Sequence, residues 1–249
     1  MQKNNIINKC FFGAFIALVM LSSCKKEDLT TDGTGDSVNL GRDMVLYMTF
    51  DNNTCTDISG KGFSGVTVGS VQYVTDTPNR KGKAISIDGT AEQYVNIPYT
   101  VVGDSLNFSV SLWVKDFGTG TLFSTIEGNY VQAPAIFIMS NTTPRIYYSG
   151  GSREDFTYSL QNYQSSGWHM ITYTASHRQQ ELCLYIDGQR VDSRKVNGCR
   201  SKGNKMQIGG NADGYFEAWA DPMLIDNFRV YRRCLTTNEV RELYYQERQ

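Results

Sequence analysis

Phe108-Ser109-Val110-Ser111-Leu112-Trp113-Val114-Lys115 decides the fold class of this chain. Phe108, Val110, Leu112 and Val114 alternate with Ser109, Ser111, Trp113 and Lys115, so an extended backbone sends one apolar row to a core. The same period of two returns in Leu182, Leu184 and Ile186 against Cys183, Tyr185 and Asp187. There Asp187-Gly188 adds a two-residue hairpin signal. Shorter runs lie near Val45 to Phe50, Ala84 to Ile87, Ala135 to Met139, Ile146 to Ser149 and Trp168 to Thr174. Turn residues separate them, with 23 Gly and only 5 Pro in the chain. Many short antiparallel strands predict an all-β protein of two stacked sheets. One short C-terminal helix is expected. Thr236 as N-cap and Glu239 three residues later form a capping box, and Val240, Leu243 and Tyr244 follow at helical spacing.

The N-terminus reads as a targeting segment. Lys3 and Lys9 make a basic start, Phe11 to Leu21 is a short apolar run, and Leu21-Ser22-Ser23-Cys24 follows. An apolar run this short does not span a bilayer, and the pattern is that of a secretory signal over residues 1–23. Cysteine directly after the small residues resembles the bacterial lipoprotein signal, which implies lipidation of Cys24 and an anchor in the outer membrane. Residues 24–40 lack an apolar period and read as a solvated tether. Within it, Lys26-Glu27-Asp28 resembles an export signal for cell-surface display. Residues 41–249 are then expected to form one domain, a size that suits a single sandwich.

Charge excludes one partner class. The chain has 24 Lys+Arg and 25 Asp+Glu, a net charge of −1. Removing residues 1–23 takes away only Lys3 and Lys9, leaving 22 against 25, or −3. No basic footprint for nucleic acid is present.

Several segments, in order, carry a family resemblance. They are Leu46-Tyr47-Met48-Thr49-Phe50-Asp51, Asp57-Ile58-Ser59-Gly60-Lys61-Gly62, Ala84 with Ile87-Asp88-Gly89, and the 108–115 strand. Trp168-His169, Leu184-Tyr185-Ile186-Asp187-Gly188, Ile208-Gly209-Gly210, Ile225-Asp226-Asn227-Phe228-Arg229-Val230-Tyr231, and Leu235 with Glu239 follow. Each motif is weak alone. Their collinear order resembles the laminin G-like, concanavalin A-like lectin/glucanase jelly-roll family. That resemblance implies a domain that mostly binds rather than catalyses, with His169 in a structural position. It also implies a structural calcium ion near Asp51 and Asp226, the first ending the first strand and the second facing inward beside it. A buried carboxylate needs a partner or a cation, and hard oxygen ligands suit calcium. The bare alternative is that Asp226 accepts hydrogen bonds without metal.

Catalytic chemistry has no positive sign. Glycan-cleaving relatives of this fold set two carboxylates on one strand face, and retaining cleavage needs them about 5.5 Å apart. No Glu-x-Asp-x-x-Glu stretch occurs, and the adjacent Glu154 and Asp155 point to opposite faces. Only His169 and His177 exist, and no Gly-x-Ser-x-Gly elbow is present. Gly60-Lys61-Gly62-Phe63-Ser64-Gly65 fits a dinucleotide fingerprint, but Val66-Thr67-Val68 after it reads as strand rather than helix. No organic cofactor is expected. Cys55, Cys183, Cys199 and Cys234 leave two readings open, packed thiols or two bridges in three connectivities.

Aromatic residues direct the binding reading. The loop 211–221 holds Asn211, Asp213, Tyr215, Glu217 and Trp219, which pair flat rings for stacking on sugars with polar groups for hydroxyls. Tyr147, Tyr148 and Tyr158 are further candidates for a concave face. The expected function is a surface-anchored, non-catalytic lipoprotein that binds carbohydrate. The alternative is a protein-interaction or adhesion module, so the partner is a glycan or a cell-surface protein.

Overall fold

The computed structural model describes residues 38–89, 93–128, 130–210 and 221–249. The chain divides into two units, Met1–Ser37 and Val38–Gln249, and every described residue belongs to the second. Its strands are β1 (Met44–Met48), β2 (Val66–Val68), β3 (Gln72–Val74), β4 (Ala84–Ile87), β5 (Tyr94–Ile97), β6 (Asn107–Lys115), β7 (Gly120–Glu127) and β8 (Tyr130–Ile138). They continue with β9 (Pro144–Ser149), β10 (Ser152–Asp155), β11 (His169–Ser176), β12 (Glu181–Ile186), β13 (Gln189–Lys195), β14 (Lys205–Ile208) and β15 (Met223–Tyr231). A single helix, α1 (Thr237–Glu247), ends the chain.

The strands form two antiparallel sheets. One runs β13-β12-β11-β6-β15-β4-β3, with β1 also on β15, and the other runs β10-β9-β8-β7-β14-β5-β2. This is the two-sheet sandwich that the alternation predicts. Phe108, Val110, Leu112 and Val114 of β6 join Leu182, Leu184 and Ile186 of β12 in the core between the sheets. Their neighbours Trp113, Cys183 and Tyr185 point the other way, into a second apolar cluster with Leu235, Val240 and Leu243 around α1. The predicted capping box is formed. Thr236 Oγ1 accepts from Glu239 N, and Glu239 Oε2 accepts from Thr236 N at 2.9 Å.

One irregularity shapes the sheet edge. β1 pairs with β15 from Tyr231 to Phe228, and β4 pairs with the same side of β15 from Ile225 to Met223. So β4 continues the line of β1, and the seam between them falls at Asp226-Asn227. On the opposite side, pairing of β15 with β6 shifts register between Asp226 and Arg229. Asn227 there takes φ 49°, a left-handed value that Asn tolerates.

All four described cysteines are free, Cys55, Cys183 and Cys199 being buried. Of the two readings left open above, the structure has the packed thiols.

Candidate binding groove and carboxylate pair

Asp51 and Asp226 come near enough at that seam for the charge of one to act on the other. Asp51 sits just past β1 in a 3-10 turn entered through Phe50 at φ 58°. Its Oδ1 accepts from Lys83 N at 2.7 Å, one residue before β4 begins. The backbone of Gly82, at φ 75°, lies so close to the Asp51 carboxylate that any Cβ there would collide with it. Asp226 is buried, as the sequence predicts, and its Oδ1 accepts from its neighbour Asn227 N at 2.7 Å. Burial first, and the charge of Asp51 second, push its carboxyl up to about 8. Asp226 is the cross-strand partner of Trp113, and Asn227 Oδ1 accepts from Tyr47 Oη at 3.0 Å beside Arg229, so the break in pairing turns both residues to the Trp113 face of the sheet, away from the side of Phe228 and Val230 on which alternation sets Asp226.

A groove of about 610 Å³ opens elsewhere, where four chain segments converge. Its lining includes Asp104, Glu127, Arg200, Lys202 and Asn204. The segment 200–204 is fixed by backbone hydrogen bonds to several neighbours. Arg200 N donates to Tyr148 O, Ser201 N to Ser105 O, Lys202 N to Ala133 O and Asn204 N to Ile126 O, all at 2.8–2.9 Å. Ser201 is buried, and its hydroxyl donates to Gly103 O at 2.7 Å and accepts from Ser105 N at 2.8 Å. With Ser201 turned in, exposed Arg200 and Lys202 face the same way.

Both cations find acids across the groove. Arg200 donates from Nε and Nη2 to the two carboxylate oxygens of Asp104, in a side-on fork. Hydrogen bonding from that guanidinium holds the Asp104 carboxyl below the usual carboxylate range. Lys202 Nζ lies 2.6 Å from Glu127 Oε2. Glu127 is the cross-strand partner of Tyr130 at the end of the β7–β8 hairpin, so the two side chains share a face. The Tyr130 side is 72% exposed, the most open large apolar residue described.

The sequence-predicted loop residues Asn211, Asp213, Tyr215, Glu217 and Trp219 lie outside the described residues, as does Cys24. The other aromatic candidates do packing work. Tyr147 is buried with its ring 5.5 Å from Phe137, and Tyr158 is hydrogen bonded to Tyr163 through their hydroxyls at 2.8 Å. Tyr148 is half-buried against the core. Trp113 is buried, and half-buried Trp168 donates to Asp76 at 2.8 Å.

Two clusters that suggest catalysis have structural roles. Asp155 is spent on Arg145, whose Nε donates to it at 2.6 Å, and Glu154 is its neighbour in β10. His169 lies between Ser166 and Asp187, at 2.8 Å from Nε2 and 2.7 Å from Nδ1. The second oxygen of Asp187 accepts from Met170 N at 2.9 Å. Asp187 is the φ 51° residue of the β12–β13 turn, so this arrangement ties that turn to the start of β11.

Comparison with known proteins agrees with the architecture. A family model described as the concanavalin A-like lectin/glucanases superfamily matches residues 88–241. Botulinum neurotoxin type X from Clostridium botulinum is 24% identical over 214 residues, covering 80% of this chain and 16% of the toxin. Among solved structures, the binding domain of Paraclostridial Mosquitocidal Protein 1 superposes with a TM-score of 0.63 at 20% identity, over 84% of this chain and 53% of that one. The binding domain of botulinum neurotoxin DC, solved with SialylT, gives 0.62 at 19% identity over 83% and 52%. The same domain solved with rat synaptotagmin II gives 0.62 at 19% identity over 84% and 52%. The chain thus spans about half the length of these binding domains. With the matched model covering more than half of it, this chain belongs to the concanavalin A-like lectin/glucanase superfamily, in its laminin G-like branch.

Proposed function

We propose that this protein is a surface-anchored, non-catalytic lipoprotein that binds carbohydrate in the groove between Asp104, Glu127, Arg200 and Lys202. The observation that carries this reading is a polar groove on a rigid β scaffold whose lining residue Glu127 has the exposed Tyr130 as its cross-strand partner. A flat ring offers a stacking surface, while cations, carboxylates and the Asn204 amide orient hydroxyls, as few convergent polar groups do in ligand sites. Backbone hydrogen bonding of 200–204 means that little conformational entropy is lost on binding.

The test is a glycan array probed with the protein, followed by Tyr130→Ala and Trp219→Ala. Loss of signal in Tyr130→Ala at an unchanged melting temperature assigns the groove. Loss in Trp219→Ala alone assigns the 211–219 loop instead, with Tyr215 as its second ring and Asn211, Asp213 and Glu217 as its polar groups. No glycan signal, with a cell-surface protein bound, favours the adhesion reading. The use of this fold with SialylT and with synaptotagmin II in toxin domains gives support to both.

The anchor and the calcium ion belong to the same reading. Acylated Cys24 would hold the domain to the outer membrane through burial of CH₂ groups, at about 0.8 kcal/mol each. Metabolic labelling with a fatty-acid analogue, lost in Cys24→Ala, tests it, and protease shaving of whole cells tests surface exposure. Asp51 and Asp226 fit a hard cation, because a buried carboxyl beside a second carboxylate binds a proton only for want of a better counter-charge. Calcium bound there would neutralise both acids and close the seam. A melting temperature unmoved by excess chelator would remove the ion from this account.

A further inference from the structure

We infer that the groove selects acidic glycans, of the polyuronate class, by seating successive ligand carboxylates on Arg200 and Lys202. This rests on the carbohydrate reading of the same groove and adds the chemical class of the sugar.

Arg200 and Lys202 come from one stapled segment and sit two residues apart on one side, so their backbones are separated by about 7 Å at the rise of an extended chain. The two acids come from separate elements, Asp104 from a loop and Glu127 from the end of β7. A short row of positive charge matches a linear polyanion. Each acid lies against one of the two cations, so a ligand carboxylate would take the place of an acid already seated there.

Donor counting points the same way. A guanidinium has five N–H groups and an ammonium three. Asp104 takes only Nε and Nη2 of Arg200, and Glu127 lies against the Lys202 ammonium. The Arg200–Asp104 pair already holds a planar carboxylate in the side-on fork that guanidinium favours. Both partners are 62% exposed, so water and solutes reach the pair freely. An exposed pair of this kind contributes little to stability and opens readily. Asp104 therefore acts as an internal stand-in for a ligand carboxylate, and Glu127 does the same for Lys202. Stacking on Tyr130 and hydroxyl contacts to the displaced acids complete the seat. Since the chain carries a net charge of only −1, attraction of a polyanion is local to this groove.

The stand-in role gives an opposite-sign signature. The full-length protein in detergent is titrated with a short oligogalacturonate and with the same oligomer fully methyl-esterified, both in excess chelator to exclude calcium bridging. The acid oligomer is expected to bind roughly tenfold or more tightly than its ester. Arg200→Gln and Lys202→Gln should each erase that preference, while Asp104→Asn and Glu127→Gln should increase affinity for the acid form. Unchanged melting temperatures in all four variants keep the comparison clean. Equal binding of acid and ester, or weaker acid binding in Asp104→Asn, overturns the inference and leaves carbohydrate binding standing. Failure of both oligomers together with a blank glycan array overturns the carbohydrate reading as well.

Discussion

The indole Nε1 of Trp113 donates to Glu247 Oε2 at 2.7 Å, joining the C-terminal part of β6 to the last residue of α1. The second oxygen of Glu247 meets Arg229 Nη1 of β15, whose guanidinium lies 3.7 Å from the centre of the Tyr47 ring. Trp113 also stacks on Tyr244 at 5.5 Å. One buried carboxylate thus holds the helix, two strands and the apolar cluster between them. Glu247→Ala should cost about 3–5 kcal/mol, because it strands a buried cation, whereas Trp113→Phe should cost less. Denaturant unfolding of both variants checks the order, and equal stability of Glu247→Ala and wild type would refute it.

A second prediction concerns pH. The Asp226 carboxyl titrates at about 8 in the folded chain against 3.8 as the ordinary value. Between those limits the folded state holds a proton that the unfolded state has released. Stability in excess chelator should therefore fall as pH rises from about 4 to about 8, at up to about 1.4 kcal/mol per unit. Asp226→Asn should flatten that slope, and calcium should restore stability at the alkaline end. Urea midpoints at several pH values give the answer; an unaltered slope in Asp226→Asn refutes the assignment.

The turn held by Asp187 offers a third. Removing its carboxylate in Asp187→Ala leaves the Met170 N–H and His169 Nδ1 without their partner, at a cost of about 1–3 kcal/mol. Asp187→Asn should be milder, since Asn accepts one of these bonds and tolerates the left-handed backbone. Thermal melts that rank the two variants the other way would contradict this role.

Gly203 is the fourth. Its φ is +117°, and a Cβ there would come 3.1 Å from Ile126 O and collide with the Thr125 methyl. Gly203→Ala should lower stability by about 1–3 kcal/mol and displace Lys202 and Asn204 from the groove. Binding lost in step with stability is the expected result, read by calorimetry and ligand titration on the same sample. Full glycan binding in a stable Gly203→Ala protein would place the ligand elsewhere.

The sequence speaks most clearly where a single element carries the signal. The alternation in Phe108 to Lys115 gives both faces of β6, and the Thr236–Glu239 pair gives the start of α1. It is silent on β7, whose residues from Gly120 to Ile126 are all buried, with bulges around Phe123 that break the period of two. Asp51 was legible as the acid that follows the first strand and Asp226 as a carboxylate within the last one, but the register shift that sets the face of Asp226 leaves no mark in the alternation. The groove was not, because Asp104, Glu127 and Arg200 come together only through long-range backbone bonds. The turn Glu127-Gly128 before Tyr130 was the one local hint, a hairpin tip with an aromatic residue on it.

The four free thiols bear on how such a protein can be made and moved. Burial pushes Cys183 up to about 11 and Cys199 to about 12, and raises Cys55 and Cys234 as well. Oxidation proceeds through the thiolate, which these groups scarcely populate at neutral pH. A fold held without bridges among the described residues is expected to melt at the same temperature with and without reductant.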